Sequence, residues 1–433
     1  VLFFIGGNVN LKTNHIIVSK STQRFILGLI LIITLLSYFT RMSISVALPS
    51  ITKDFGWSEL EQGRLGGILM GIFLLSYGFS NIYLSPSIDR FGAKLTLSFS
   101  ALVTALSLVL AGLFGHIYFV FLLTRLLLGL AQGVVFPSAS KVIARHFPVS
   151  MRSRANSIFI SGAPIGSLIT PLIITPIIIA STWENALFAS AGISVLCLAP
   201  VFLLFTLLHR GSAPGAAVVK ERDLTAGDTL SGEAGSLLPS FSLLKEQQFR
   251  VILISFTLMM AVWWGFTLWL PTYLVEAKGF LLNQMKYGAA IIYIGAAAGL
   301  YTGSWMCDAT GHRKRIIAVS LISTFVFFVL ITMLPIESKI VGLVLIFLSV
   351  FVLELAPPIF FTILQGKIDE SEIGAASGLM NGIGNMGSIL GPLSVGFVVS
   401  LTGSYEIGLF VLGALALMAG CNLLFRYREI RQN

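Results

Sequence analysis

Three charged residues interrupt stretches of sequence that are otherwise apolar: Arg41, Arg125 and Glu354. A charge held inside hydrocarbon costs roughly 2.5 kcal/mol or more, so an ion kept there is a functional candidate by default. Arg41 offers a planar fork of N–H donors matched to a carboxylate; its plainer role is to bond carbonyls of a neighbouring helix. Glu354 stands beside Pro357-Pro358. An isolated carboxylate in apolar surroundings favours its neutral form, so it could take up and release a proton. Its plainer role is that of a neutral acid bonded to another helix. Arg125 reads better as a structural or gating group than as a direct ligand.

Neutral polar groups accompany these ions within the apolar runs. Tyr38, Tyr77 and Gln132 can hydrogen-bond a solute, and Asn381 and Asn385 stand four apart, on one helix face. Each could equally be interhelical glue. Tyr273 and the indoles of Trp263, Trp264 and Trp269 are pathway candidates too, although Trp and Tyr near helix ends more often anchor at the membrane interface. The five histidines lie at or near run ends, against a histidine proton relay. Cys197, Cys307 and Cys421 share no ligand spacing, so neither a disulfide framework nor a metal site follows. No Gly-x-x-x-x-Gly-Lys-Ser/Thr loop is present, so ATP is not the expected energy source and no cofactor is implied.

The elements that must position these residues are read from composition. Of 433 residues 56% are apolar and 11% charged, and the mean hydropathy is +0.91. A soluble chain carries roughly a quarter charged residues, so the solvent implied is a lipid bilayer. Twelve runs reach the roughly 20 residues a crossing needs: 25–48, 63–87, 95–114, 118–143, 155–180, 184–208, 249–275, 286–306, 316–335, 339–365, 375–400 and 405–425. The fold class expected is an all-α membrane protein of two pseudo-symmetric six-helix bundles, 25–208 and 247–426. A segment 1–24, a polar Gly/Ser-rich linker 209–246 and a tail 427–433 complete the chain, all three expected in the cytoplasm. Val1 to Ile5 is too short for a signal core, and the first long run lacks a small-residue cleavage site, so it reads as a retained helix.

The net charge of +9 does not point to nucleic acid, because Lys and Arg sit in short loops between the runs. With both termini cytoplasmic, inside-facing segments hold 21 of the 28 Lys and Arg, outside segments five, and the spans Arg41 and Arg125. That asymmetry sets the orientation. A repeat supports the six-plus-six division: Asp89-Arg90-Phe91-Gly92-Ala93-Lys94 follows the second run, and Asp308-Ala309-Thr310-Gly311-His312-Arg313-Lys314 follows the eighth. Duplicated halves around a central site are a transporter design.

These loops resemble the cytoplasmic signature of the major facilitator superfamily, with Ser85 where the pattern has its first glycine. The resemblance implies that the Asp caps a neighbouring helix end and that basic residues pair across the bundle interface, giving Asp89, Arg90, Asp308 and Arg313 a structural or gating role. Arg125-Leu-Leu-Leu-Gly129-Leu-Ala-Gln132-Gly133 is similar to a second signature of the family. Tyr38-Phe39-Thr40-Arg41 resembles the Tyr-x-Asp-Arg start of the anion:cation symporter family of sugar-acid, sialic-acid and vesicular glutamate carriers. There the arginine is implied to bind a carboxylate and Tyr77 falls at a substrate-contacting tyrosine. Thr40 and Gln132 stand where proton-coupled relatives have Asp and Glu, so the usual titratable partners are missing. The seventh run lacks the second arginine of organophosphate exchangers, which argues against a divalent phosphate ester.

The resulting expectation is not an enzyme but a secondary carrier of a small organic anion working by alternating access. It would sit in the plasma membrane as a monomer, with Glu354 as the proton-coupling group. A drug or amphipathic-compound proton antiporter is the rival. Its usual Gly-x-x-x-Gly-Pro stretch is absent, since Gly162-Ala163-Pro164-Ile165-Gly166 has the proline displaced. A membrane sensor that binds without transporting would need a large soluble domain.

Overall fold

The computed structural model describes residues 20–85, 87–147, 149–210, 241–335, 338–365 and 373–427. Among these, twelve helical segments are long and apolar enough to cross a bilayer. They are α1 (Ser21–Asp54), α2 (Glu59–Tyr83), α3 (Phe91–Phe114), α4 (Tyr118–Ile143), α5 (Ile158–Ala180), α6 (Trp183–Thr206), α7 (Gln247–Ala277), α8 (Leu282–Thr310), α9 (Arg313–Thr332), α10 (Lys339–Leu364), α11 (Ala376–Thr402) and α12 (Tyr405–Arg426). Several outrun the hydropathy limits, α1 ending at Asp54 rather than near residue 48. Hydropathy marks only the hydrocarbon crossing, and a hydrogen-bonded helix continues until a residue stops it. Gly56, at φ 62°, follows the end of α1.

The helix pairing repeats with an offset of six. In the first bundle α1 packs on α5, α2 on α4 and α3 on α6; in the second α7 packs on α11, α8 on α10 and α9 on α12. Across the seam α2 meets α11, α5 meets α8 and α1 meets α7. Backbones touch there because small residues allow it: a Cβ added to Gly63 would lie 2.6 Å from the Gly396 carbonyl oxygen. Gly295, Gly299 and Gly303 likewise face the α10 backbone, the packing face expected of that series.

The turns repeat as well. Gly92 (φ 78°) and Gly311 (φ 67°), the glycines of the duplicated motif, both hold the left-handed backbone that a Cβ disfavours. Thr182 caps the start of α6 and Ser404 that of α12, each accepting from the backbone N–H three residues on, at 3.4 and 3.3 Å. Most of the expected linker, residues 211–240, lies outside the described residues, as do 1–19 and 428–433.

The spans α4 and α10 share a further feature. Each opens with a 15-residue helix, Tyr118–Gln132 and Lys339–Leu353, then breaks and resumes as Val135–His146 and Pro357–Gln365. Pro357 has no N–H to give, and the freed turn is tied off locally: Ala356 N–H donates to the Leu353 carbonyl at 3.3 Å. A serine from a neighbouring helix supports each break. Ser80 donates to the Leu130 carbonyl at 2.8 Å, and Ser320 to that of Val352 at 2.5 Å. The carbonyl capped is in each case two residues before a buried polar side chain, Gln132 or Glu354.

Candidate functional site

Arg41 is 2% exposed, on the α1 face toward α2, α4 and α7. Its Nε donates to Gln132 Oε1 at 3.1 Å. Gln132 is itself fixed: its Nε2 donates to Thr40 Oγ1 at 2.9 Å and to the Ser37 carbonyl at 3.3 Å. The residue in the place of an acid thus orients the arginine without neutralising it. Aromatic rings do the rest. The guanidinium carbon lies 4.2 Å from the Tyr38 ring centre, 4.4 Å from Tyr77, 5.1 Å from Phe73 and 5.7 Å from Trp264. Each such contact is worth about 0.5–2 kcal/mol when desolvated. Among the described residues no carboxylate lies within ion-pair distance of Arg41, whose Nη1 has no hydrogen-bond partner.

Arg125 shares this cage. It is 2% exposed, its Nε donates to the Leu69 carbonyl at 3.4 Å, and its guanidinium carbon is 5.3 Å from the same Phe73 ring. Its Nη2 is also without a partner. Gly129 and Gly133 bring α4 close enough to α2 for this; a Cβ at Gly129 would meet the Phe73 carbonyl at 2.5 Å, and one at Gly133 Ser80 Oγ at 2.6 Å. Two buried guanidinium groups keep unmade N–H bonds, and an unsatisfied buried donor is costly, a cost that an anionic acceptor would remove.

Glu354 is 7% exposed at the α10 break. It belongs to the second bundle and lies near enough to Tyr38 to interact with it electrostatically. The small Gly299 of α8 makes room for it, an added Cβ there falling 3.0 Å from that of Glu354. The structure therefore brings Tyr38, Arg41, Tyr77, Gln132 and Arg125 together, with Glu354 opposite.

Other residues singled out in the sequence stand elsewhere or pair among themselves. Asn381 and Asn385 share a face as expected and bond each other, Asn385 Nδ2 to Asn381 Oδ1 at 3.1 Å. Tyr273 is nine residues beyond Trp264 on α7, about 13 Å along the axis, in a group with buried Lys278 and half-buried Glu406, which pair at 3.6 Å. Asp308 is exposed and Arg313 half-buried, neither in an ion pair among the described residues. The side chains of Asp89 and Arg90 lie outside the described residues. Reading the sequence alone missed Phe73, one of 33 phenylalanines, and could not separate Trp264 from Trp263 and Trp269 among the pathway candidates. The burial of Trp264 to 2% beside half-buried Trp263 is a matter of helix rotation that no composition signal carries.

Twelve spans in two matched bundles, with buried polar groups at their seam, define a membrane transporter rather than an enzyme. The family model described as Major Facilitator Superfamily matches residues 30–392, and the chain belongs to that superfamily. It is 27% identical to the hexuronate transporter of Bacillus subtilis (strain 168), over 91% of this chain and 92% of that one. It is also 27% identical to the probable sulfoacetate transporter SauU of Cupriavidus necator, over 91% of each. Identity to the probable galactarate/D-glucarate transporter GudP of Escherichia coli K12 is 25%, over 95% of each. The fold is similar to that of an inward-facing bacterial homologue of the human lysosomal transporter Spinster, with TM-score 0.72, 15% identity and coverage of 94% and 98%. It is similar too to that of the nucleoside transporter NupG, with TM-score 0.74, 16% identity and coverage of 93% and 100%.

Proposed function

We propose that this chain is a secondary active carrier of a small organic anion, a carboxylate, sugar acid or sulfonate, working by alternating access. One observation carries the reading: a buried guanidinium, Arg41, oriented by an amide and by ring faces, with an open N–H and no acid to satisfy it. The relatives named for hexuronate, sulfoacetate and glucarate support the same cargo class. Arg41 takes the anionic group, Tyr38, Tyr77 and Gln132 hold its position, and Arg125 supplies a second positive charge for a dianion. Glu354, on the other bundle, carries a coupling proton. The carrier acts as a monomer in the plasma membrane with both termini cytoplasmic, the orientation that Lys and Arg distribution favours. Rocking of the two bundles about the α2–α11 and α5–α8 contacts alternates access. A drug antiporter would have to pair its cation with Glu354 against two buried arginines, Arg41 and Arg125, which disfavour a cationic cargo.

The test is uptake into proteoliposomes of D-glucuronate, D-glucarate and sulfoacetate, with and without an inward proton gradient. Saturable uptake of at least one, lost in Arg41→Ala, is the expected result. Transport of cationic amphiphiles but of none of these anions would overturn the reading.

A further inference from the structure

Trp264 is buried on α7 and its indole Nε1 donates to nothing among the described residues. Two other indoles are satisfied: Trp183 Nε1 donates to Asp54 Oδ2 at 3.1 Å and Trp269 Nε1 to the Pro392 carbonyl at 3.0 Å. A buried indole N–H normally finds an acceptor. Facing Trp264 across the seam is the Arg41 guanidinium, 5.7 Å from the indole ring centre, with its own Nη1 unpartnered. Neither group can satisfy the other, since both are donors. An acceptor supplied from outside can satisfy both, and beside a buried cation the favoured acceptor is an anion.

We propose that one carboxylate or sulfonate group of the cargo bridges Arg41 Nη1 and Trp264 Nε1, which makes Trp264 the second bundle's recognition residue. This rests on the organic-anion reading of the site. Anionic oxygens accept at about 2.8 Å from an N–H, and the guanidinium carbon lies 5.7 Å from the indole ring centre, a spacing on the scale of one such group with a bond to either side. The two donors ride on different bundles. The bridge is complete only at the closed spacing of the seam, and cargo binding therefore favours that spacing by as much as the second contact contributes. A neutral polyol of the same size gains little from it.

The experiment uses the full chain purified in detergent, with D-glucuronate, D-glucarate and sulfoacetate as probes and binding read by calorimetry. Trp264→Phe keeps an aromatic face on the guanidinium and removes the N–H. The dissociation constant is expected to rise about 10- to 100-fold, the range associated with losing a hydrogen bond to a charged group. Trp264→His, which restores a ring N–H, regains part of the loss. The wild-type chain gives a second readout, assigned with Trp264→Phe. In a nitrogen–proton spectrum of its six labelled tryptophans, one buried indole resonance moves downfield on saturation with sulfoacetate, and it is the one absent from a Trp264 variant. Wild-type affinity in Trp264→Phe, or indole resonances that do not move on saturation, overturns the bridge. Failure of the wild type to bind any of the three probes overturns the anion reading instead.

Discussion

The breaks in α4 and α10 occupy matching places in the two bundles, yet they hold opposite chemistry. At the first, Gln132 is locked by Thr40, Ser37 and Arg41, so every group around it is fixed and the local charge is positive. At the second, Glu354 stands buried with no basic group in ion-pair distance among the described residues. The same backbone device, a broken span with a serine donating to a carbonyl at the break, thus presents a cationic pole on one bundle and an acidic one on the other. The difference teaches that the cargo's charge and the proton's need not share a residue. On the proposed reading an anion would satisfy the first bundle and a proton the second, and the seam between them is what both ligands would bias.

The comparison breaks most readily at its positive pole. Arg41→Ala removes the cation from among its four rings and from Gln132 Oε1; saturable anion uptake is expected to fall about 100-fold or more, as when one partner of a buried charged contact is truncated. Retained uptake would move the anion site off the first bundle. At the acidic pole, Glu354→Gln keeps the shape but cannot exchange a proton. With one proton per anion, a gradient of one pH unit supports about tenfold accumulation. The variant is expected to keep counterflow and lose that accumulation, and pH-driven accumulation intact in it would remove Glu354 from coupling.

The third change makes the two breaks alike. Gln132→Glu sets a carboxylate beside Arg41 Nε, where it competes with the cargo. The sign follows directly: the charged acid pairs with Arg41 and weakens anion binding several-fold at alkaline pH, and binding recovers as the pH falls and the acid is neutralised. Pale pH dependence in equilibrium binding, matching wild type, would show that the amide is not in the cargo's competition. The smallest effect belongs to Tyr77→Phe, which keeps the ring face 4.4 Å from the guanidinium. Affinity is expected within about twofold of wild type, against a larger loss for Tyr77→Ala. A large loss in Tyr77→Phe would assign the phenol a direct contact with cargo.

Much of this was legible in the sequence because a bilayer tolerates few polar groups. Twelve apolar runs gave twelve spans, and Arg41, Arg125, Gln132 and Glu354 stood out as exceptions within them. The duplicated glycines Gly92 and Gly311 did mark matching turns. What composition could not convey was rotation about each helix axis. Phe73 lies between two cations because α2 turns that face inward, and Trp264 rather than Trp263 is the buried indole for the same reason. Tyr273, expected in the binding site, packs with Lys278 and Glu406 about two and a half turns further along α7. Neither break was read from the sequence: that in α10 falls just before Pro357-Pro358, and that in α4 follows Gln132 at Gly133-Val134.

A structure of the chain with sulfoacetate or D-glucarate bound tests the central claim most directly. The account predicts an anionic oxygen within about 3 Å of Arg41 Nη1, inside the ring cage and between the two bundles. A cargo bound with its anionic groups clear of that guanidinium would contradict it.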